Sequence, residues 1–263
     1  MKLGQTYNED CLVTMSKMPE SFVDLTVTSP PYDDLRDYRG YTFEFEKIAQ
    51  ELFRVTKEGG VVVWVVADRV KDHCESGTSF RQALYFKEQA GFNLFDTMIY
   101  LKAGFGAPGS AKSYYQLFEY MFVFSKGAPK TTNLIEDKKN RYAGETRTVH
   151  IRQKDGTTKK DATAVFKEFG RRGNVWRYAA GYLAGTPDKI AYEHPATFPE
   201  ALARDHILSW SNEGDIVYDP FMGSGTVAKM AMENDREWIG SEISSEYCEI
   251  IKKRLELAKY RLL

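Results

Sequence analysis

The sequence predicts an α/β fold built on a doubly wound, mostly parallel sheet. Residues 61–66 are β-branched and apolar on both faces, which is typical of a strand buried inside a parallel sheet. Before that strand, residues 43–56 carry apolar side chains at helical spacing, and Gly59 and Gly60 then end the predicted helix. Because strands and helices alternate in this way along most of the chain, we expect the doubly wound arrangement.

The remaining elements follow the same alternation. Residues 25–28 form a short apolar strand that Pro30 and Pro31 terminate. The other predicted elements are a helix over 80–89, strands over 94–101 and 117–124, a helix over 201–209, a strand over 215–218, a helix over 227–233, a strand over 238–240 and a helix over 245–257.

Length, charge and cysteine usage restrict the class of protein. With 263 residues the chain has room for one large domain, or for one domain with an inserted module, and its net charge is -1. Cys11, Cys74 and Cys248 are scattered, so we expect neither disulfides nor a metal site. The first residues lack the apolar core of a signal peptide, and no apolar run could span a bilayer. These observations predict a cytoplasmic protein without a membrane partner.

Residues 126–172 differ from the rest of the chain. They hold 13 Lys and Arg against 6 Asp and Glu and show little apolar periodicity. Within them, residues 146–152 and the residues from Thr157 onward flank an Asp155-Gly156 turn, which predicts a β-hairpin. Taken alone, such a charge run is more typical of a solvated, partly disordered loop. We predict an inserted basic region here, with residues 1–125 and 173–263 forming the catalytic and cofactor-binding domain.

The loop from Asp219 to Thr226 follows a strand and opens a helix. Gly223 and Gly225 permit close approach of a ligand to the backbone, and the helix start offers free N–H groups. Glu242 ends the next strand, where a carboxylate can accept both hydroxyls of a ribose. Phe221 crowds the turn, which suits an adenosine carrying an amino-acid tail better than a pyrophosphate. A purely structural turn is the alternative interpretation.

A second loop, Thr28-Ser29-Pro30-Pro31-Tyr32, lies at the end of a strand, where open α/β sheets place their sites. The two prolines remove N–H donors and rigidify the backbone, so nearby carbonyls remain available as acceptors. The Ser29 hydroxyl and a carbonyl could accept the two hydrogens of an amino group on a flat ring, on which Tyr32 would stack. A rigid surface turn is the alternative.

Together the two loops resemble the β-group of DNA amino-methyltransferases, in which the catalytic motif precedes the cofactor motif. Further segments match in order and span almost the whole chain. They are Tyr7-Asn8-Glu9-Asp10-Cys11, Met18-Pro19, Ser21, Asp24-Leu25, Asn174-Val175-Trp176, His194-Pro195-Ala196-Thr197-Phe198-Pro199, Gly214-Asp215-Ile216-Val217-Tyr218, Arg236, Trp238-Ile239-Gly240-Ser241-Glu242 and Tyr247. The resemblance implies a Rossmann-like methyltransferase fold with permuted motif order, and S-adenosyl-methionine as cofactor.

The resemblance also implies roles for individual residues. Asp10 would contact the adenine side of the cofactor, Glu242 would hold the ribose, and Pro195 and Phe198 would shape the methionine end. Phe221, Gly223 and Gly225 would line the pocket. The full predicted cofactor set is Asp10, Pro195, Phe198, Asp219, Phe221, Gly223, Gly225, Thr226 and Glu242, and the predicted catalytic set is Ser29, Pro30, Pro31 and Tyr32.

In this family Ser-Pro-Pro-Tyr commonly accompanies methylation of cytosine N4, and Asp-Pro-Pro-Tyr accompanies adenine N6. Ser29 therefore favours cytosine N4, with adenine N6 as the alternative. Two further alternatives stay open: an enzyme that methylates protein or RNA amines, and a DNA-binding regulator with an inactive site. The intact loops argue against an inactive regulator, and the basic segment argues against a protein or RNA substrate.

The basic segment matches the target-recognition region of the family in position. A base inside a duplex must be flipped out for methylation, so the enzyme needs phosphate contacts to hold the distorted double-stranded DNA. The candidates are Lys138, Lys139, Arg141, Arg147, Arg152, Lys154, Lys159, Lys160, Arg171 and Arg172. A cognate restriction endonuclease and a second copy of the chain are the other partners compatible with the resemblance.

Overall fold

In a computed structural model, the described residues are 1–31, 43–104, 114–179 and 181–262. The chain divides into two compact units. The large unit comprises Met1–Asn133 and Asn174–Leu263, and the basic unit comprises Leu134–Gly173. Each unit has its own sheet, and each is described separately below.

Eight strands form the central sheet of the large unit. They are β1 (Gln5–Tyr7), β2 (Val23–Thr28), β3 (Thr56–Val66), β4 (Asn93–Ala103), β5 (Phe118–Ser125), β8 (Val175–Ala179), β9 (Ile216–Asp219) and β10 (Glu237–Ser241). The strands β6 (Thr146–Arg152) and β7 (Thr158–Val165) belong to the basic unit. Their order is β1-β10-β9-β2-β3-β5-β4-β8. All neighbours pair in parallel except at β5, which is antiparallel to both β3 and β4. The predicted mostly parallel, doubly wound sheet is therefore confirmed.

Helices connect and cover these strands. They are α1 (Cys11–Ser16), α2 (Phe45–Val55), α3 (Thr78–Tyr85), α4 (Glu200–Trp210), α5 (Thr226–Glu233) and α6 (Ser245–Leu262). A π-helical turn, Phe86–Ala90, extends α3, and a 3-10 turn, Lys189–Glu193, precedes α4. Two short strands, Val70–Lys71 and Cys74–Glu75, form a separate ribbon. No helix among the described residues is long and apolar enough to cross a membrane.

The core lies on both faces of the central strands. Every residue of the run 61–66 is buried, as the sequence pattern predicts for a strand covered on both faces. On one face, Ile48, Leu52 and Val55 of α2 pack with Trp64 of β3 and with the phenylalanines of the π-helical turn and β5. This packing fixes the carboxyl edge of β2 and β3, where the site is found.

One boundary differs from the sequence prediction. The helix α2 ends at Val55, and Gly59 and Gly60 lie inside the long strand β3 rather than at the end of the helix. Close packing explains the difference, since a Cβ at Gly60 would come within 2.9 Å of the Asp24 carbonyl oxygen on β2. Gly60 thus permits the close approach of β3 to β2, and Gly59 permits the close approach of β3 to Ala128 and Lys130. In the sequence alone, two such glycines are equally compatible with the end of a helix.

The basic unit contains the predicted hairpin. Strand β6 (Thr146–Arg152) pairs antiparallel with β7 (Thr158–Val165), with a bulge between Lys160 and Ala162. Gly156 has φ +83° in the connecting turn, where the Asp155 carboxylate accepts hydrogen bonds from the Thr157 backbone and hydroxyl. The hairpin is confirmed. A short antiparallel ribbon, Lys138–Lys139 with Phe169–Gly170, completes the unit.

The compact unit begins at Leu134, whereas the sequence placed the start of the inserted region at residue 126. Residues 126–133 belong to the large unit and are hydrogen-bonded within it. The Lys126 ammonium donates to the carbonyl oxygens of Phe53 and Thr56, and the Asn133 N–H donates to the Ser209 carbonyl. Lys126 is therefore a structural residue of the large unit, and the basic unit carries eleven Lys and Arg against six Asp and Glu.

Candidate active site

A cavity of about 590 Å³ opens at the carboxyl edge of the central sheet. This volume is typical of a small-molecule or cofactor site. Its lining combines residues from both sequence-predicted loops with residues of the segment 194–199, all within the large unit. The fold thus brings together residues that are about 190 positions apart in the chain, as parallel sheets do at a topological switch point.

The predicted cofactor loop, residues 219–226, joins β9 to α5. Gly223 (φ +52°) lines the cavity, and a Cβ there would meet the His194 imidazole at 3.0 Å. Gly225 (φ +78°) does not line the cavity, in contrast to the expectation from the family resemblance. Gly225 precedes α5 and packs against α6, since an added Cβ would lie 3.0 Å from the Ile251 side chain. One glycine therefore opens the cavity and the other permits helix packing.

Glu242 lies directly after β10, at the cofactor end of the cavity. One carboxylate oxygen accepts the Gly223 N–H at 2.8 Å, and the other accepts the Ser244 N–H at 2.9 Å. Only 8% of the residue is exposed, and burial raises the pKa of its carboxyl. Each oxygen retains a second lone pair, so the fixed carboxylate can still accept hydroxyl donors from a ligand.

Asp219 connects the two predicted loops. Its Oδ1 accepts the Thr28 hydroxyl at 2.7 Å and the Phe221 N–H at 3.0 Å. The residue is 4% exposed, and burial raises its pKa to about 7. Thr28 immediately precedes Ser29 in the predicted catalytic loop, Thr28-Ser29-Pro30-Pro31-Tyr32. This hydrogen bond therefore holds the start of the predicted catalytic loop against the predicted cofactor loop.

Ser29, Pro30 and Pro31 line the same cavity, next to the end of β2. Tyr32 lies outside the described residues. Asp10, Pro195, Phe198, Phe221 and Thr226 also line the cavity. Of the predicted catalytic and cofactor residues that the structure describes, Gly225 alone is absent from the cavity wall.

Asp10 reaches the cavity from the other end of the chain. It caps α1, where its carboxylate accepts the Leu12 N–H at 2.7 Å. Strand β1 pairs in parallel with β10, and the Glu242 N–H donates to the Tyr7 carbonyl. This pairing places Asp10 and Glu242 at the same end of the cavity. The sequence gives no periodic signal for it, because the strand has only three residues.

A buried ion network behind the cofactor loop was not found from the sequence. Lys229 of α5 contacts Asp188 and Glu200, each at 2.8 Å, and Arg254 of α6 contacts Glu200 at 2.7 Å. Arg254 also donates to the Ser224 carbonyl at 2.7 Å. Lys229 is 2% exposed and Arg254 is fully buried. Through Arg254, the network connects Ser224 of the predicted cofactor loop to Asp188 and to Glu200, the first residue of α4.

Three further cavity residues were also missed: Tyr100 and Lys102 on β4, and Glu119 on β5. Their strands were predicted, but no motif marked them. The register of β4 against β5, which pairs Tyr100 with Glu119, brings them to the cavity. Among the described residues, no cluster of His, Cys, Asp and Glu is arranged to hold a metal ion.

The predicted DNA-binding residues all lie in the basic unit. Nine of the ten are exposed, and Arg172, which is half-buried, pairs with Asp137. Arg147 pairs with Glu145 and lies 3.3 Å above the centre of the Tyr142 ring. On the hairpin, Arg152 and Lys160 share one face, and Arg147 and Lys159 share the other. The positive charge is thus distributed over both faces of the hairpin.

The sheet topology, and a cavity lined by acidic side chains and by Gly223, are typical of α/β enzymes that bind a nucleoside cofactor. The sequence profile of N6_N4_Mtase, described as DNA methylase, matches residues 23–253. The chain belongs to this family of N6/N4 DNA methylases. It is therefore a DNA amino-methyltransferase with S-adenosyl-methionine as its cofactor.

Individual proteins support the same assignment. The orphan methyltransferase M.BamHII of Bacillus amyloliquefaciens is 61% identical over 237 residues, which are 89% of each chain. The PvuII DNA methyltransferase, a cytosine-N4-specific enzyme, matches with a TM-score of 0.69 at 18% identity over 99% of this chain and 93% of its own. The structure of TTHA0409 from Thermus thermophilus, complexed with S-adenosyl-L-methionine, matches with a TM-score of 0.65 at 21% identity over 97% and 93%. The two solved structures show the shared fold.

The donor set of the cavity fits this cofactor. Buried Glu242 offers acceptors for ribose hydroxyls, Phe221 offers an apolar surface, and Gly223 leaves room beside His194. The acidic side chains of Asp10 and of Glu9, which is also paired with Lys17, line the cavity and suit a ligand that carries a sulfonium charge. The fit depends on side chains that are held by backbone hydrogen bonds and are thus preorganised.

Proposed function

We propose that this enzyme methylates N4 of cytosine in double-stranded DNA, and that Ser29, Pro30 and Pro31 bind the target amino group. One observation carries the choice of base: a serine, rather than an aspartate, precedes the two prolines and lines the cavity. A neutral hydroxyl is a weaker acceptor than a carboxylate, and the resemblance to enzymes with Ser-Pro-Pro-Tyr loops favours cytosine.

The residues of the loop can orient the amine without forming a covalent intermediate. The Ser29 hydroxyl and a loop carbonyl accept the two N–H bonds, which turns the nitrogen lone pair away from conjugation with the ring. When bound, S-adenosyl-methionine supplies an electrophilic methyl group. The hydrogen bond from Thr28 to Asp219 keeps this acceptor pair at a fixed position relative to the cofactor loop.

The basic unit, Leu134–Gly173, supplies the contacts that hold DNA in this proposal. Five of its eleven Lys and Arg are exposed on the hairpin, where phosphate contacts are possible, and the other six lie before and after it. Holding the duplex while one base is flipped into the cavity requires such contacts. The relative M.BamHII is named an orphan methyltransferase, and we infer that this chain also acts without a dedicated endonuclease.

The test is to incubate the protein with DNA and labelled cofactor and to digest the DNA to nucleosides. N4-methylcytosine in the mass spectrum supports the proposal. N6-methyladenine instead would show that the family chemistry is retained and that Ser29 does not determine the base. A Ser29→Asp variant, assayed in parallel, shows whether this residue alone changes the product.

A further inference from the structure

A charged pair lies on the cavity wall beyond the catalytic loop. The Lys102 ammonium contacts a Glu119 carboxylate oxygen at 2.7 Å, and both side chains are mostly buried. Lys102 is near the end of β4 and Glu119 near the start of β5, and because these strands are antiparallel both residues lie at the carboxyl edge of the sheet. The catalytic loop leaves β2 at the same edge.

The order of strands separates this pair from the predicted cofactor residues. Glu242 follows β10, Asp219 ends β9 and the catalytic loop follows β2, whereas the pair is on β5 and β4. Neighbouring strands are about 4.8 Å apart, so β5 is roughly 10 Å from β2 on the side away from the cofactor loop. A base whose amine is held at the end of β2 therefore has space on the side of β5 and β4.

The distribution of charge supports the same division of the cavity. The cofactor side is lined by Glu9, Asp10, Asp219 and Glu242, whereas Lys102 is the only lysine or arginine among the described lining residues. A sulfonium is attracted to the acidic side, whereas the charges of Lys102 and Glu119 offset each other and give the other side no net attraction for it. The neighbouring Tyr100 stays protonated, because burial and the charge of Glu119 raise its pKa. Lys102, paired with Glu119, is thus the cationic hydrogen-bond donor on the part of the cavity wall that β4 and β5 form.

We propose that Lys102, positioned by Glu119, donates a hydrogen bond to the ring nitrogen next to the target amine. That atom is N3 of cytosine, or N1 if the target is adenine. It lies on the base edge that flipping exposes, and it accepts hydrogen bonds. The contact fixes the rotation of the ring, so that the amine meets Ser29. The inference deepens the proposed function, since it requires that a DNA amino group is the substrate.

The experiment pairs a protein variant with a base analogue. Duplexes carry at the target either the natural base or its deaza analogue, in which C–H replaces this ring nitrogen and the amine is retained. We expect the wild type to lose about 10- to 100-fold in kcat/KM on the analogue, as is usual when a hydrogen bond to a charged group is removed. Lys102→Met loses a similar factor on the natural base, with no further loss on the analogue.

Two results would overturn the inference. The first is that Lys102→Met retains the full discrimination between the natural base and the analogue. The second is that Lys102→Met weakens binding of S-adenosyl-methionine in a DNA-free titration, which would assign Lys102 to the cofactor. The double variant Lys102→Met/Glu119→Gln also neutralises the Glu119 carboxylate, and a thermal melt verifies folding. Lys57→Met, which breaks the similar Lys57–Asp24 pair outside the cavity, is the matched control. If the wild type methylates no DNA, the proposed function itself fails, so the two failures are distinguishable.

Discussion

Replacing Asp219 by asparagine should change how the stability of the enzyme depends on pH. Burial raises the pKa of Asp219 to about 7, against 3.8 for the unperturbed carboxyl. The folded state therefore binds a proton that the unfolded state releases. The contribution of this group to stability is complete below pH 3.8, declines between pH 3.8 and 7, and stays low above pH 7.

The size of the effect follows from the difference in pKa. About three units at 1.36 kcal/mol each correspond to roughly 4 kcal/mol, an upper limit because the structure around the ionised carboxylate can relax. Both hydrogen bonds to Asp219 end on Oδ1, from the Thr28 hydroxyl and the Phe221 N–H. Asparagine keeps an oxygen that can accept both and cannot ionise. The variant should thus be more stable than the wild type at pH 8 by up to about 4 kcal/mol.

Urea denaturation without cofactor, at pH values from about 4 to 8, measures this difference. The other titratable groups are common to both proteins, so the gap between Asp219→Asn and the wild type isolates the one carboxyl. The gap should grow from about pH 4 to 7 and then remain constant. An Asp72→Asn variant at an exposed position is the control. A gap independent of pH would refute the assignment of a raised pKa to Asp219.

Three further predictions concern the site and the basic unit. Ser29→Ala should remove most methyl transfer and leave cofactor affinity unchanged by calorimetry, and near-normal turnover would contradict the role of the hydroxyl. Glu242→Ala should weaken cofactor binding by about 10-fold or more, a loss of at least about 1.4 kcal/mol, with DNA binding unaffected; equal affinity in the titration would exclude the ribose contact. Changing Arg152, Lys154, Lys159 and Lys160 to glutamine should reduce the slope of log K against log salt by up to about 0.9 for each phosphate that the variant no longer neutralises, whereas Lys252→Gln/Lys253→Gln on α6 should not change it.

The elements that the sequence predicts well are those with a strong pattern. The buried residues of strand β3 and helix α2 follow the apolar pattern of their own sequences. Both elements can therefore be predicted from local composition. The boundary between them does not depend on local composition, because Gly60 serves the close approach of β3 to β2, and Gly59 serves its close approach to Ala128 and Lys130. A glycine that permits packing and a glycine that stops a helix look the same in one sequence.

The site divides in the same way. Ser29, Glu242 and the glycines are in contiguous motifs, and the chemistry of these motifs indicates them directly. Lys229 and Arg254 resemble the solvated charges of amphipathic helices, and only tertiary contacts show that they are buried against Asp188 and Glu200. Lys102 and Glu119 become neighbours through the register of β4 against β5, and no local sequence pattern predicts that register.

The pairing of β1 with β10 has a consequence for the order in which the protein can assemble on a ribosome. Strand β1 is synthesised before every other strand of the described sheet, but its only partner in that sheet is more than 200 residues further along the chain. At the usual rates of synthesis the edge of β1 remains unpaired for on the order of 10–50 s before its partner strand is made. The catalytic loop is thus translated long before the cofactor site can close. Contacts of such long range fold slowly, so we expect a nascent chain to be a client of chaperones that shield unpaired strands.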